Sequence, residues 1–205
     1  MEFPKFFYNN DGSFLLYCSP PMTPEEFVYE SVGRFIGTQV DAVVCHMYGF
    51  GDAVPLWPSE IPDALGIERE KVGFVSEWRQ QQIMKRLWDE GIDPWKLALE
   101  AAHEAGMQYW VGKRFNDLHG PRYEWRSEFR AQHPEYELGD QCGSGLHGPG
   151  SGYGERCTGL NYGIPEVRAH RLAIVEEACA RYDVDGFEWD FQREPGHSVP
   201  NLPEN

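Results

Sequence analysis

The stretch YDVDGFEWDF, Tyr182 to Phe191, sets four acids among large apolar side chains. On a strand, side chains alternate between two faces. Asp185, Phe187, Trp189 and Phe191 then share one face, and Gly186, Glu188, Asp190 and Gln192 the other. The preceding residues fix what kind of strand this is. Ile164-Pro165-Glu166 places a proline at the first helical position with an acid beside it, a start signal. Val167, Leu172, Ile174, Val175, Ala178 and Cys179 follow as an apolar stripe up to Arg181. A helix, a very short turn and a strand make the second half of a βαβ crossover, which implies a parallel sheet. Parallel sheets are normally covered on both faces. Glu188 and Asp190 are therefore expected to point into protein or into a barrel lumen, with Trp189 packed under helices.

Three more strands precede this one: FFYNN at the start of the chain, VDAVVCHMY (Val40 to Tyr48) and MQYWVGKRFN (Met107 to Asn116). Thr23-Pro24-Glu25-Glu26 forms a capping box that opens a helix ending at Gly37. Asp93-Pro94 opens DPWKLALEAAHEAG, closed by Gly106. The order βαβαβαβ gives an α/β fold with parallel strands. Helix-to-strand turns are short, whereas about residues 49–93 and 117–163 form long strand-to-helix connections. Loops of that length usually serve function. They lie at the carboxyl ends of the strands, where (β/α)8 barrels build their active sites. Residues 139–159 are expected to be irregular and to share that face with residues 49–60.

No Gly-rich phosphate loop follows any strand. GFG after the second strand lacks the third glycine and the helix, and the loop after Gly139 lacks a Walker lysine. The barrel is thus favoured over a nucleotide-binding sheet. The expected architecture is one domain over residues 1–205, of (β/α)8 TIM-barrel type, carrying about the first four βα units. Four strands are half a barrel, and a half-barrel would pair, for instance by self-association, to cover its open edge.

Composition narrows the function classes. The chain has 205 residues, 41% hydrophobic and 14% aromatic, enough for a sizeable core. A formal charge of −15 argues against nucleic acid, which demands basic patches. No apolar run approaches the ~20 residues of a membrane span. MEFPKFFYNN has neither the basic start nor the apolar core of a secretory signal, so a cytoplasmic location is the default, with secretion left open. Of five cysteines, Cys18, Cys45 and Cys179 read as small buried hydrophobes. Cys142 and Cys157 flank a Gly-rich loop containing His147. A disulfide or a metal clip is open there, although no CxxC spacing supports zinc.

With the polar parity of each strand facing the barrel axis, the second strand offers Ala42, Val44, His46 and Tyr48. The third offers Gly112, Arg114 and Asn116, with Asp117 and His119 just beyond, and the fourth Gly186, Glu188, Asp190 and Gln192. Each strand becomes polar towards its carboxyl end. Singly, His46 reads as a satisfied core histidine and Arg114 as a buried partner for Glu188. Together, a carboxylate pair, an arginine and imidazoles in one cleft are what a small polar ligand such as a sugar requires.

KRFNDLHG after the third strand, HPEYELG in the next loop, the opening FFYNNDGSFLLYC and above all Leu160 to Pro195, with PEVR leading to DGFEWDF, resemble the glycoside-hydrolase-like (β/α)8 barrel proteins. The resemblance implies a carbohydrate-active barrel with Asp190 as a catalytic or sugar-binding group. Chitinase-type barrels instead carry DGxDxDxE, and the aligned positions here are Asp185, Gly186, Glu188, Asp190 and Gln192. Glutamine at the acid position cannot donate a carboxyl proton, which disfavours that mechanism.

Glycosidases generally use two carboxyl groups, about 5 Å apart for retention and about 6.5–9.5 Å for inversion. Asp190 is the candidate nucleophile or base, Glu188 its orienting neighbour or Arg114's partner, and Asp117 the candidate second acid. His46, Tyr48, Arg114, Asn116, His119 and Gln192 are the candidate substrate-binding residues. No metal or other cofactor is expected for this reading. Its rivals are a non-catalytic carbohydrate-binding or assembly module, and a metal-dependent, sugar-isomerase-like barrel built on His46, Glu188, Asp190 and His119.

Overall fold

The computed structural model describes residues 3–48, 55–61, 75–115, 127–139 and 157–191. Its centre is a four-stranded parallel sheet of β1 (Phe7–Asn10), β2 (Ala42–His46), β3 (Gln108–Arg114) and β6 (Gly186–Asp190), side by side in chain order. Between them run α1 (Phe14–Tyr17), α2 (Pro24–Ser31), α3 (Val75–Asp89), α4 (Pro94–Glu104), α5 (Glu128–Gln132) and α6 (Pro165–Arg181). The α/β class and the parallel sheet are as the sequence implies.

The helix starts follow from local chemistry. Thr23 and Glu26 exchange the two hydrogen bonds of a capping box at α2, with Pro24 in the first turn. Asp93 accepts from the Lys96 amide and is followed by Pro94 at α4. α2 stops at Ser31 rather than Gly37, because a 3-10 turn (Gly33–Phe35) takes over.

Both long connections hold regular structure that the sequence reading missed. The stretch 49–93 contains the fifteen-residue α3, whose Ile83, Met84 and Leu87 are buried. The stretch 117–163 contains α5 and an antiparallel pair, β4 (Glu137–Gly139) with β5 (Cys157–Leu160). Gly139 and Cys157–Gly159 are therefore in strands, not irregular; residues 140–156 lie outside the described residues. Arg130 of α5 and Glu137 of β4 face each other at 3.3 Å, both almost wholly buried.

Register partners in the sheet place His46, Gly112 and Glu188 in one row, and Arg114 and Asp190 in the next. The opposite face carries Val43, Cys45, Met47, Tyr109 and Val111, which join Phe27, Ile83, Met84, Trp95, Ala98, Ile174 and Ala178 in the core. Ala42 and Val44, on the first face, are buried but stand outside that core. The helices thus pack on one side of the sheet.

Two corrections concern this packing. Trp189 is on the helix side but 45% exposed, stacked on Phe115 at 4.4 Å instead of roofed by a helix. Leu172 and Cys179, expected in the α6 stripe, are exposed, and the stripe runs through Val167, Arg171, Ile174, Val175 and Ala178.

Two aspartates begin their strands in the same way. In Val40-Asp41-Ala42, one Asp41 oxygen accepts from the amides of Lys5 and Phe6, at 2.9 Å each, beside β1. In Val184-Asp185-Gly186, one Asp185 oxygen accepts from the Tyr109 amide of β3 and meets His103 Nε2, both at 2.8 Å. Asp185, the second acid of the quoted stretch, thus has a structural role.

Candidate functional site

The open face grows polar towards the carboxyl ends of all four strands. In its lower layer the Trp110 ring lies across Gly186, where a Cβ would come within 2.5 Å of the indole. Above it, Gly112 carries no side chain between His46 on β2 and Glu188 on β6. Those two strands are two spacings, about 9.6 Å, apart. The His46 ring leans over Gly112, where a Cβ would meet its Nε2 at 2.7 Å, and brings Nε2 to 3.4 Å from Glu188 Oε2. The two atoms are near enough to pair when the ring carries its proton on Nε2, and Nε2, in a side chain only 5% exposed, has no better-aligned hydrogen-bond partner.

Glu188 Oε2 accepts from Asn9 Nδ2 of β1 at 2.7 Å. The neighbouring His46 lowers the Glu188 pKa most; burial opposes it, and the Asn9 hydrogen bond and the Arg114 charge add to the lowering. Glu188 is thereby held as an anion.

One row higher, Arg114 stands between two carboxylates, with Asp190 Oδ2 3.6 Å from its Nε and Asp11 Oδ2 3.6 Å from an Nη. Asp190, not Glu188, is the partner of Arg114. Asp11 follows β1 in a tight turn, where its Oδ1 accepts from the Ser13 amide and Asn10 Oδ1 from the Gly12 amide. Burial raises the Asp11 pKa, but its bonds to Ser13, then Arg114 and His46, outweigh that and the net shift is downward. Gly12 has φ of +76°, and a Cβ there would also sit 2.9 Å from the His46 carbonyl oxygen. This turn needs glycine on both counts.

Of the residues predicted for the site, His46, Arg114, Glu188 and Asp190 are brought together. Asn116, Asp117, His119 and Gln192 lie outside the described residues. Tyr48 is a correction. It sits beyond the last β2–β3 pair, bridges Pro55, and turns into the core 5.2 Å from the Trp57 ring. An aromatic ring released from the ladder gains more by burial there than it would beside carboxylates.

Sequence reasoning missed Asn9 and Asp11. The parity applied to the other strands would have found them, since Phe7, Asn9 and Asp11 alternate along the same face. It also missed Lys113, fully buried on the helix side with its ammonium 4.3 Å above the Tyr48 ring centroid.

Set against models of known protein families and against characterised proteins, the sequence matches none. The site's chemistry thus rests on its own geometry. Among the described residues no three His, Cys, Asp or Glu side chains are grouped so as to hold a metal ion. Within the same residues no helix is long and apolar enough to cross a membrane.

What the arrangement offers is a fixed anion at Glu188, an arginine bracketed by Asp11 and Asp190, and a buried ring nitrogen, all at the carboxyl ends of parallel strands. Such ends are where α/β sheets bind ligands.

Proposed function

We propose that the chain carries four consecutive βα units of a glycoside-hydrolase-like (β/α)8 barrel, and that Asn9, Asp11, His46, Arg114, Glu188 and Asp190 bind a carbohydrate. The observation that carries this is the convergence of polar side chains from four neighbouring strands on one layer at their carboxyl ends. The chain-order strand sequence and the helices on a single side support the barrel. A doubly wound sheet has helices on both faces and a reversal of strand order.

In this reading Asp190 is the nucleophile or base, and Glu188 the neighbouring fixed charge that stabilises a developing oxocarbenium ion. Its lowered pKa makes Glu188 a poor proton donor, so the acid comes from elsewhere, with Asp117 the candidate. Turnover of a panel of aryl glycosides tests the reading. Asp190→Asn should cut kcat/KM at least about a thousandfold without changing the melting temperature. Turnover retained at the wild-type rate in Asp190→Asn would refute the assignment.

One observation favours a second reading, a non-catalytic carbohydrate-binding module. Glu188 and Asp11 are both held down, the opposite of what a proton donor needs. Saturable oligosaccharide binding with no hydrolysis of any aryl glycoside would select it.

A further inference from the structure

The sheet is one strand–helix–strand unit used twice. Asp41 leads β2 and Asp185 leads β6 with the same bonds. The Asp41 amide donates to the Phe6 carbonyl, and its carboxylate accepts from the Phe6 amide, both at 2.9 Å. The Asp185 amide donates to the Tyr109 carbonyl at 2.9 Å, and its carboxylate accepts from the Tyr109 amide at 2.8 Å. Phe7 then pairs with Ala42 as Trp110 pairs with Gly186. β1 thus corresponds to β3, with Phe6 on Tyr109, and β2 to β6, with Ala42 on Gly186.

The two units are joined by β2 and β3, in register from Ala42–Gln108 to His46–Gly112. The same step taken from β6 calls for another strand of β1 type. Gly186 would pair with its position 5, Phe187 with 6, Glu188 with 7, Trp189 with 8 and Asp190 with 9. Among the described residues that place is bare, since β6 pairs only with β3 and β1 only with β2. The side chains concerned are large, apolar and exposed: Phe6 by 57%, Tyr8 by 42% and Trp189 by 45%. Their counterparts in the joined step, Tyr109, Val111 and Cys45, are at most 2% exposed.

We propose that β6 takes β1 of a second copy of this chain as its neighbour, and that the partner's β6 takes β1 in return. Eight parallel strands then close around a two-fold axis. A single added strand would cover one edge and leave the other bare, whereas two copies cover all four of their edges at once. The sheet is already bent for this. Laid flat, β1 and β6 would stand three spacings, about 14 Å, apart. Asn9 Nδ2 nevertheless donates across to Glu188 Oε2 at 2.7 Å, so the sheet curls into a trough with its polar side chains inside.

The inference rests on the barrel part of the reading above and names what closes the barrel. It also completes the site. In the register given, the partner's Asn9 comes opposite Asp190, and the partner's Asp11 stands one polar position beyond, so both copies wall the cleft.

The test is sedimentation of the full chain, whose wild type should run at twice its 23.5 kDa chain mass at about 10 µM. Tyr8→Asp and Trp189→Lys should each weaken the dimer at least about thirtyfold, because each puts a charge where ring meets ring. The double variant sets those charges opposite each other and should dimerise at least about threefold tighter than the two losses combined predict. Leu172→Lys, at an exposed position of α6 outside this pairing, should leave the dimer intact. A wild-type monomer at about 100 µM overturns the inference, and saccharide binding by that monomer leaves the carbohydrate reading standing. A dimer indifferent to both single variants, or strictly additive losses in the double one, overturns it as well. Should a variant fail to fold, a mixture of isotope-labelled and unlabelled wild type decides. An isotope-filtered Overhauser contact between the Trp189 and Tyr8 rings of different copies is expected, and a dimer without it refutes the pairing.

Discussion

Replacing Gly112 with alanine probes the site through one methyl group. Its Cβ would stand 2.7 Å from His46 Nε2, 2.8 Å from His46 Cδ2 and 2.9 Å from Val44 Cγ1, with β3 backbone that alanine adopts freely. Carbon contacts are comfortable near 3.5 Å, so the imidazole must retreat by roughly 0.7 Å or Val44 must yield. Both are buried, at 5% and 3% exposure, and neither has free space to enter cheaply. Overpacking of this kind costs about 1–3 kcal/mol. Alanine recovers about 0.4–1 kcal/mol by restricting the unfolded chain. The expected net loss is about 1–2 kcal/mol, a fall in melting temperature of about 2–8 °C for a chain of this size. Calorimetry measures that loss, and imidazole nitrogen NMR reports the ring's displacement from Glu188. Gly186→Ala is the companion, since its Cβ strikes the Trp110 ring and should leave the His46 signals in place. A Gly112→Ala protein that melts at or above wild type with unmoved His46 resonances would refute the reasoning.

Removal of Asp185 by alanine strands the Tyr109 amide and His103, and should cost about 1–3 kcal/mol in chemical denaturation; an unchanged midpoint would show that the clamp is idle. The lowered Glu188 pKa, due first to His46, means that its contribution to stability is fully present above the unfolded value of about 4.3 and fades as pH falls through the lower folded value. Acid titration of wild type should therefore show a steeper loss below about pH 4.3 than Glu188→Gln, and identical curves would contradict the assignment. Burial pushes the Cys45 thiol up to about 12, whereas Cys179 is exposed. Mass-spectrometric mapping after native alkylation at neutral pH should find Cys179 modified and Cys45 intact, and early labelling of Cys45 would show that the core opens readily.

What was legible in the sequence is what local rules govern. Period-two alternation assigned the faces of β2, β3 and β6 because each is held by ladder bonds along its length. Tyr48 escaped the rule one step beyond the ladder, where only packing decides. The starts of α2 and α4 were readable from Thr23, Pro24, Asp93 and Pro94, whose chemistry is local. α3 was not, because EWRQQQIMKRLW is mostly polar and buries Gln80 among its few apolar residues. The same holds for Arg130 with Glu137, charges whose burial depends on a partner in another element. At the site, the group of His46, Arg114, Glu188 and Asp190 was visible, but the exchange of partners was not. Parity says which residues share a face, while the choice of Asp190 over Glu188 by Arg114 depends on the row each occupies.

Glu177 of α6 takes hydrogen bonds from Trp57 Nε1, the Ser59 hydroxyl and the Glu60 amide, closing residues 55–61 against a helix more than a hundred positions later. Trp57 is fully buried, and two of its neighbours, Glu177 and Tyr182, come from the far end of that loop. This gives the tryptophan a place in time as well as in space. During synthesis, β1, β2 and α2 can meet while Trp57 still lacks part of its wall, and the wall arrives only when α6 leaves the ribosome. Closing so long a loop is slow compared with forming its local helices. The fluorescence of Trp57 is therefore a clock for the last assembly step, and chains halted before Pro165 should leave that indole partly exposed, without the Glu177 and Tyr182 side of its wall.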